Sequence, residues 1–210
     1  MNDKNIAQVR SFIAIDFPLD LLQRLAQVIA LLDQNIRIRQ DHPNQKFTYV
    51  RWVKMDNLHL TLKFLGDVES RRIKSLEDVI KGCVEKRSAF DIIVRGLGAF
   101  PRLTHPNVIW AGIEDSPALM QLQKALDDKL ATCGFPPEER PYRAHLTLGR
   151  VARNLLPRDE RSVAGALVQM LSPEGQILFG GAHIDMVHLY RSDLEQEGAR
   201  YTRLFSVAMQ

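Results

Sequence analysis

His59-Leu60-Thr61-Leu62-Lys63-Phe64-Leu65-Gly66 and His145-Leu146-Thr147-Leu148-Gly149-Arg150 open with the same tetrad, and that repetition sets the fold. The chain holds 210 residues, six of them histidine and six threonine. Random placement would give about a sixth of one His-x-Thr match, so an identical tetrad occurring twice is a specific signal. Side chains alternate along a strand, so His59 and Thr61 share one face while Leu60 and Leu62 share the other. The same holds for His145, Thr147, Leu146 and Leu148. The leucines anchor each strand in a core, and each polar face presents an imidazole beside a hydroxyl.

Working outward, each tetrad strand is followed by a polar turn, an amphipathic helix and further strands, an order that suggests an internal duplication. Val9 to Phe17 is β-rich and ends at Pro18, which predicts a buried first strand. Leu21, Leu22, Leu25, Val28, Ile29 and Leu32 recur at helical spacing, and the polar stretch from Asp33 to Gln45 reads as a loop suited to a mobile flap. Val50 to Val53 and Leu58 to Gly66 are strand segments, and Ile73 to Cys83 marks a second helix. Phe90 to Phe100 and Val108 to Ile113 form a hairpin around Pro101 to Asn107. Ser116-Pro117 starts a third helix that Gly134 ends. His145 to Val151 is a strand, Arg158 to Leu171 a helix, and Gln176 to Phe179, His183 to Tyr190 and Tyr201 to Val207 are the last strands. The duplication predicts two similar lobes related by a pseudo-twofold axis.

Composition excludes several classes. With 45% hydrophobic and 25% charged residues the chain is that of a folded globular protein. No apolar run approaches the roughly 18 residues of a membrane span, and the N-terminus lacks a secretory layout, so a cytoplasmic location without membrane association is expected. Cys83 and Cys133 have no metal-ligand spacing and read as packing residues. A net charge of +3 is too mild for a nucleic-acid coat protein yet allows RNA. Arginines exceed lysines, 19 to 9, which favours bidentate phosphate contacts.

Two imidazoles on either side of one phosphorus suit hydrolysis of a strained cyclic phosphodiester. One deprotonates water while the other protonates the departing ribose oxygen. Thr61 and Thr147 can donate hydrogen bonds to the non-bridging oxygens, a phosphate-binding role that needs no metal or cofactor. His paired with Thr is a poor ligand set for zinc.

These residues resemble the two-histidine phosphoesterases, and within them the bacterial and archaeal RNA 2′,3′-cyclic phosphodiesterases also called 2′-5′ RNA ligases. The resemblance covers most of the chain: Arg10-Ser-Phe-Ile-Ala14, Trp52-Val53, His59 to Gly66, Val108-Ile-Trp-Ala-Gly112, His145 to Arg150 and Gly198-Ala-Arg-Tyr201. Ala144 and Ala199 stand where the family usually has proline. The resemblance implies an α+β fold: two pseudo-symmetric lobes, each an antiparallel sheet with helices on its outer face, around a central cleft, with residues 1–210 as one two-lobed domain. It also implies opening of RNA or oligonucleotide 2′,3′-cyclic phosphate ends to a 2′-phosphate, with His59 as proton donor and His145 as proton acceptor. A reverse 2′-5′ ligation is implied as well. A monomer is the expected state.

Phe64 and Arg150 each lie five positions beyond a histidine. A ring and a guanidinium there can sandwich a nucleobase as substrate-binding residues, but the odd offset requires a bulge. Lys63 is expected on the face of His59 and Thr61, touching phosphate or solvated at a strand edge. His42, His105, His183 and His188 have no partner pattern, and Trp52 and Trp110 read as core aromatics. The Arg71-Arg72-Ile73-Lys74 cluster reads as an exposed helix face. Rival readings are a related enzyme for an ADP-ribose cyclic phosphate or a 2′-5′ oligoadenylate, and a non-catalytic RNA-end binding module.

Overall fold

The structure, a computed structural model, describes residues 7–39, 48–171, 177–195 and 198–210. Among them are the strands β1 (Gln8–Ile15), β2 (Val50–Trp52), β3 (Leu60–Glu69), β4 (Phe90–Arg102), β5 (His105–Ile113), β6 (His145–Val151), β7 (Leu178–Ile184), β8 (Met186–Glu195) and β9 (Gly198–Ala208). The α-helices are α1 (Leu19–Ile38), α2 (Ile73–Val84), α3 (Pro117–Ala131) and α4 (Pro157–Met170). No helix among the described residues is long and apolar enough to cross a membrane.

All strand pairs are antiparallel, in the order β7-β4-β5-β6-β3-β1-β8-β9, with β2 added beside β6. The two tetrad strands are the central neighbours, and between them only Leu60 and Leu146 pair. With β2 set aside, each half has four strands, and the seam runs between the two motifs. The lobes differ from a simple tandem duplication, because consecutive segments interleave. The hairpin β4-β5 that follows the first tetrad joins the half of the second, and β8-β9 return to the half of the first. Helices exchange in the same way: α1 packs on α4 and β7, whereas α3 packs on α2 and β3.

The core explains this arrangement. Leu60, Leu146 and Leu148 are fully buried and Leu62 nearly so, each contributing about 1.5–3 kcal/mol of burial. Helix α1 runs further than its first apolar stripe suggests. Ile36 is buried and Asp33 pairs with Arg37 at 2.7 Å one turn later, so residues 33–38 are helical and only the remainder of the expected flap, 40–45, lies outside the described residues. The hairpin turn is shorter than Pro101 to Asn107, because both prolines fall within paired strand residues. Asp185 separates β7 from β8, so His183 and His188 sit on different strands rather than on opposite faces of one. Ser116 caps α3 as expected, its hydroxyl accepting the Leu119 N–H.

Two bulges position the site. Thr61 pairs with Ala14 and Lys63 with Ile13, leaving Leu62 unpaired on β3. Thr147 pairs with Trp110 and Gly149 with Ile109, leaving Leu148 unpaired on β6. An extra residue reverses the in-out parity beyond it. Phe64 and Arg150 thus emerge on the exposed face, while Lys63 and Gly149 turn inward.

Candidate active site

A cavity of about 670 Å³ lies over the seam, lined by both tetrads and by Phe12, Asn57, Phe64, Arg150, Arg153 and Tyr201, among others. The polar faces of β3 and β6 place His59, Thr61, His145 and Thr147 on its floor. Each imidazole is held in the same way. His59 Nδ1 lies 2.8 Å from the carbonyl of Asn57, and His145 Nδ1 lies 2.7 Å from that of Arg143, in both cases two residues upstream. A carbonyl only accepts, so each Nδ1 carries a proton and each neutral ring keeps its lone pair at Nε2. Thr61 Oγ1 lies 3.0 Å from His59 Nε2 and donates to it while the ring is neutral.

The surroundings differ. His59 is layered between rings: Phe12 lies 4.8 Å away at 30°, with Tyr190 stacked behind it at 5.4 Å, and the edge of Tyr201 closes the side at 5.2 Å. His145 has T-shaped contacts with Phe100, at 5.0 Å, and Trp110, at 6.5 Å, and among the described residues no ring stacks on it. Burial holds both imidazoles below their ordinary value, His59 and His145 alike. The backbone carbonyls of Asn57 and Arg143 draw both values part-way back, and the charges that come after them separate the two. Asp16 draws the His59 value upward against that burial, whereas the Arg150 guanidinium pushes His145 further down. Charge on His145 also lowers His59.

Lys63 is not on the phosphate face. The bulge at Leu62 turns it inward, where it is 3% exposed and its Nζ donates to Asp127 at 2.5 Å and to the Pro136 carbonyl at 2.6 Å. At the equivalent position β6 has Gly149, where a Cβ would stand 2.6 Å from the Trp52 ring. Tyr142 escapes the sequence pattern described above; its hydroxyl donates to the Thr61 carbonyl at 2.9 Å. With the single Leu60–Leu146 pair it ties the lead-in of one tetrad to the strand of the other. A tyrosine three residues before the second histidine was the available signal.

Phe64 and Arg150 both line the cavity, and Phe64 is 61% exposed. Their relation differs from the expected sandwich. Strands β3 and β6 run in opposite directions through the Leu60–Leu146 pair, so Phe64 and Arg150 leave it toward opposite ends of the cavity. Arg140 shares an adjoining hollow with Phe64. Of the remaining candidates, His105 and His183 are exposed and bonded locally, and His188 is buried against Ser206 and Asp16; His42 lies outside the described residues. Trp52 and Trp110 are half-buried, Trp110 lying over Gly98. Cys83 and Cys133 are half-buried rather than buried. In the basic cluster Arg71 pairs with Glu69, Arg72 lies over Phe135 and Lys74 pairs with Glu77. Among the described residues no group of three or more His, Cys, Asp or Glu side chains could hold a metal ion.

Comparisons with known proteins identify the family. Residues 20–195 match the family model of the 2′-5′ RNA ligase superfamily. A protein named RNA 2′,3′-cyclic phosphodiesterase from Methanothermobacter thermautotrophicus is 32% identical over 195 residues, covering 93% of this chain and 96% of its own. One of the same name from Thermotoga maritima is 32% identical over 143 residues, covering 68% and 70%. The crystal structure of a phosphoesterase superposes with a TM-score of 0.71 at 25% identity, over 97% of this chain and 99% of that one. E. coli LigT, solved with 3′-AMP, gives 0.70 at 24% identity with the same coverage. A family model matched over residues 20–195 and relatives of this identity and coverage place the chain: it belongs to the 2′-5′ RNA ligase superfamily.

Proposed function

We propose that the chain hydrolyses the 2′,3′-cyclic phosphate at RNA or oligonucleotide ends to a 2′-phosphate, by acid–base catalysis from its own side chains. The observation that carries this reading is the pair of imidazoles with Nδ1 tied to a carbonyl and Nε2 left for proton transfer, on the floor of one cavity. The relatives named RNA 2′,3′-cyclic phosphodiesterase support it. In the reaction His145 Nε2 takes a proton from water as its oxygen bonds to phosphorus. The bond from phosphorus to the ribose 3′-oxygen breaks, and protonated His59 gives that oxygen its proton. Each transfer contributes on the order of 10² to 10⁴ in rate.

The fields support this division of roles. Asp16 favours the charged form of His59, and Arg150 favours the neutral form of His145. Thr61 and Thr147 donate to the non-bridging oxygens as charge gathers on them, each worth on the order of 10² in rate. Phe64 offers an exposed ring to the terminal base at one end of the cavity, and Arg150 contacts substrate phosphate at the other. Run in reverse with a ribose hydroxyl as acceptor, the same site would join RNA ends by a 2′-5′ linkage.

The test is a cyclic-ended oligonucleotide incubated with chelator-treated protein. The expected product carries a 2′-phosphate, and His59→Ala and His145→Ala each lose turnover by about 10² or more. Unchanged activity in either variant, or no turnover by the chelated wild type, overturns the proposal.

A further inference from the structure

Strand β2 breaks the symmetry of the sheet, since among the described residues β3 has no added strand to match it. Its Trp52 fills the space left by Gly149. Its Arg51 is the direct cross-strand partner of Arg150, so both side chains emerge on the same face. Like charges placed opposite one another on neighbouring strands destabilise a sheet. Anions normally relieve such a pair, and here none does. Arg51 and Arg150 are exposed, and neither makes a hydrogen bond or ion pair with a described residue; the same is true of Arg153, which lines the cavity with Arg150.

The nearby carboxylates are committed elsewhere. Asp33 takes Arg37 and the Trp52 ring N–H, and Asp159 takes the Tyr49 hydroxyl and lies 3.7 Å from Arg158. Asp56, in the turn after β2, is exposed and pairs with none of the three arginines. Among the described residues no aspartate or glutamate lines the cavity. The Phe64 end is different, because the adjoining hollow is lined by Glu138 and Glu139 with Arg140. The β2 end thus gathers three uncompensated arginines, whereas the aromatic end, where Arg10 also lines the cavity, is of mixed charge.

We infer that Arg51, Arg150 and Arg153 form a binding strip for the backbone phosphates of single-stranded RNA on the 5′ side of the cyclic end. The inference rests on the proposed function for its polarity, with the terminal base at Phe64 and the chain running out over β2. Guanidinium forks match phosphate oxygens bidentately, and a bound backbone supplies the anions that the Arg51–Arg150 pair lacks. The protein then acts on the ends of chains in preference to cyclic mononucleotides.

The experiment is binding of a fluorescent single-stranded hexanucleotide ending in a 3′-phosphate, which does not react, followed by anisotropy through a salt titration. For a single strand each phosphate contact contributes about 0.7 to the slope of log Kd against log salt. Arg51→Ala and Arg153→Ala are each expected to flatten that slope by about 0.7, and the double variant by about 1.4. In parallel, the ratio of kcat/KM for a cyclic-ended hexanucleotide to that for the cyclic mononucleotide is expected to fall about tenfold in the double variant. Arg51→Lys keeps the charge and is expected to keep most of the slope. Unchanged slopes, or equal loss on both substrates, overturn the strip. If wild type opens neither substrate while the slopes still respond, the proposed reaction fails and the strip stands.

Discussion

Replacing Lys63 by methionine separates two accounts of the first tetrad. The fold turns this side chain away from the phosphate, to Asp127 at 2.5 Å and the Pro136 carbonyl at 2.6 Å, with only 3% of the residue exposed. Methionine has a similar length and packs well, but it strands the Asp127 carboxylate, whose side chain is 16% exposed. Breaking a buried pair on one side costs about 3–5 kcal/mol. The lower figure applies because Asp127 keeps some water. For a chain of this size 1 kcal/mol moves Tm by about 2–4 °C, so Lys63→Met is expected to melt about 6–12 °C lower. Circular dichroism gives Tm, and turnover well below both transitions is expected to stay near wild type. The double variant Lys63→Met/Asp127→Leu, which removes both charges, recovers most of the loss. A Lys63→Met protein that melts normally but has lost turnover would refute the reasoning, since it would place the ammonium on the substrate.

Tyr142→Phe removes the hydrogen bond to the Thr61 carbonyl across the seam, worth about 0.5–1.5 kcal/mol. It is expected to lower kcat by up to about tenfold with KM little changed; steady-state kinetics showing a pure KM effect contradict that. Gly98→Ala would put a methyl group 2.2 Å from the Trp110 ring, which borders His145. A loss of about 1–3 kcal/mol in chemical denaturation is expected together with reduced turnover, and a fully stable, active variant is the contrary result. Burial holds His59, His145 and His188 below 6.5, so the unfolded chain binds more protons than the folded one once the pH falls beneath that value. Their stabilisation is complete above 6.5 and is lost as pH drops through the folded values. Tm is expected to decline on the acid side, and less so in a His59→Gln/His145→Gln variant; equal declines in both proteins would count against it.

The tetrads were legible because strand alternation makes the face of His59 and Thr61 a matter of parity, and parity needs only local sequence. The same rule misplaced Lys63. A bulge at Leu62 depends on how β1 registers against β3, a long-range pairing that no run of residues announces. The offset of Phe64 and Arg150 did demand a bulge, and one is present in each strand, but their relation across the seam follows from strand direction. Helices were legible where apolar spacing was regular. Asp33 to Ile38 read as loop because four of its six residues are polar or charged, although Ile36 is buried and an ion pair staples the turn. The interleaving of the halves could not be seen locally, since helix–sheet contacts such as α1 with β7 join distant parts of the chain.

The central claim is that the paired imidazoles open the cyclic phosphate with the acid on the ribose 3′-oxygen and the base on water, and the position of the product phosphate tests it most directly. Phosphorus NMR of a cyclic-ended oligonucleotide after chelator-treated turnover is expected to show a 2′-phosphate alone. A 3′-phosphate product would place the acid on the other oxygen and contradict the assigned geometry.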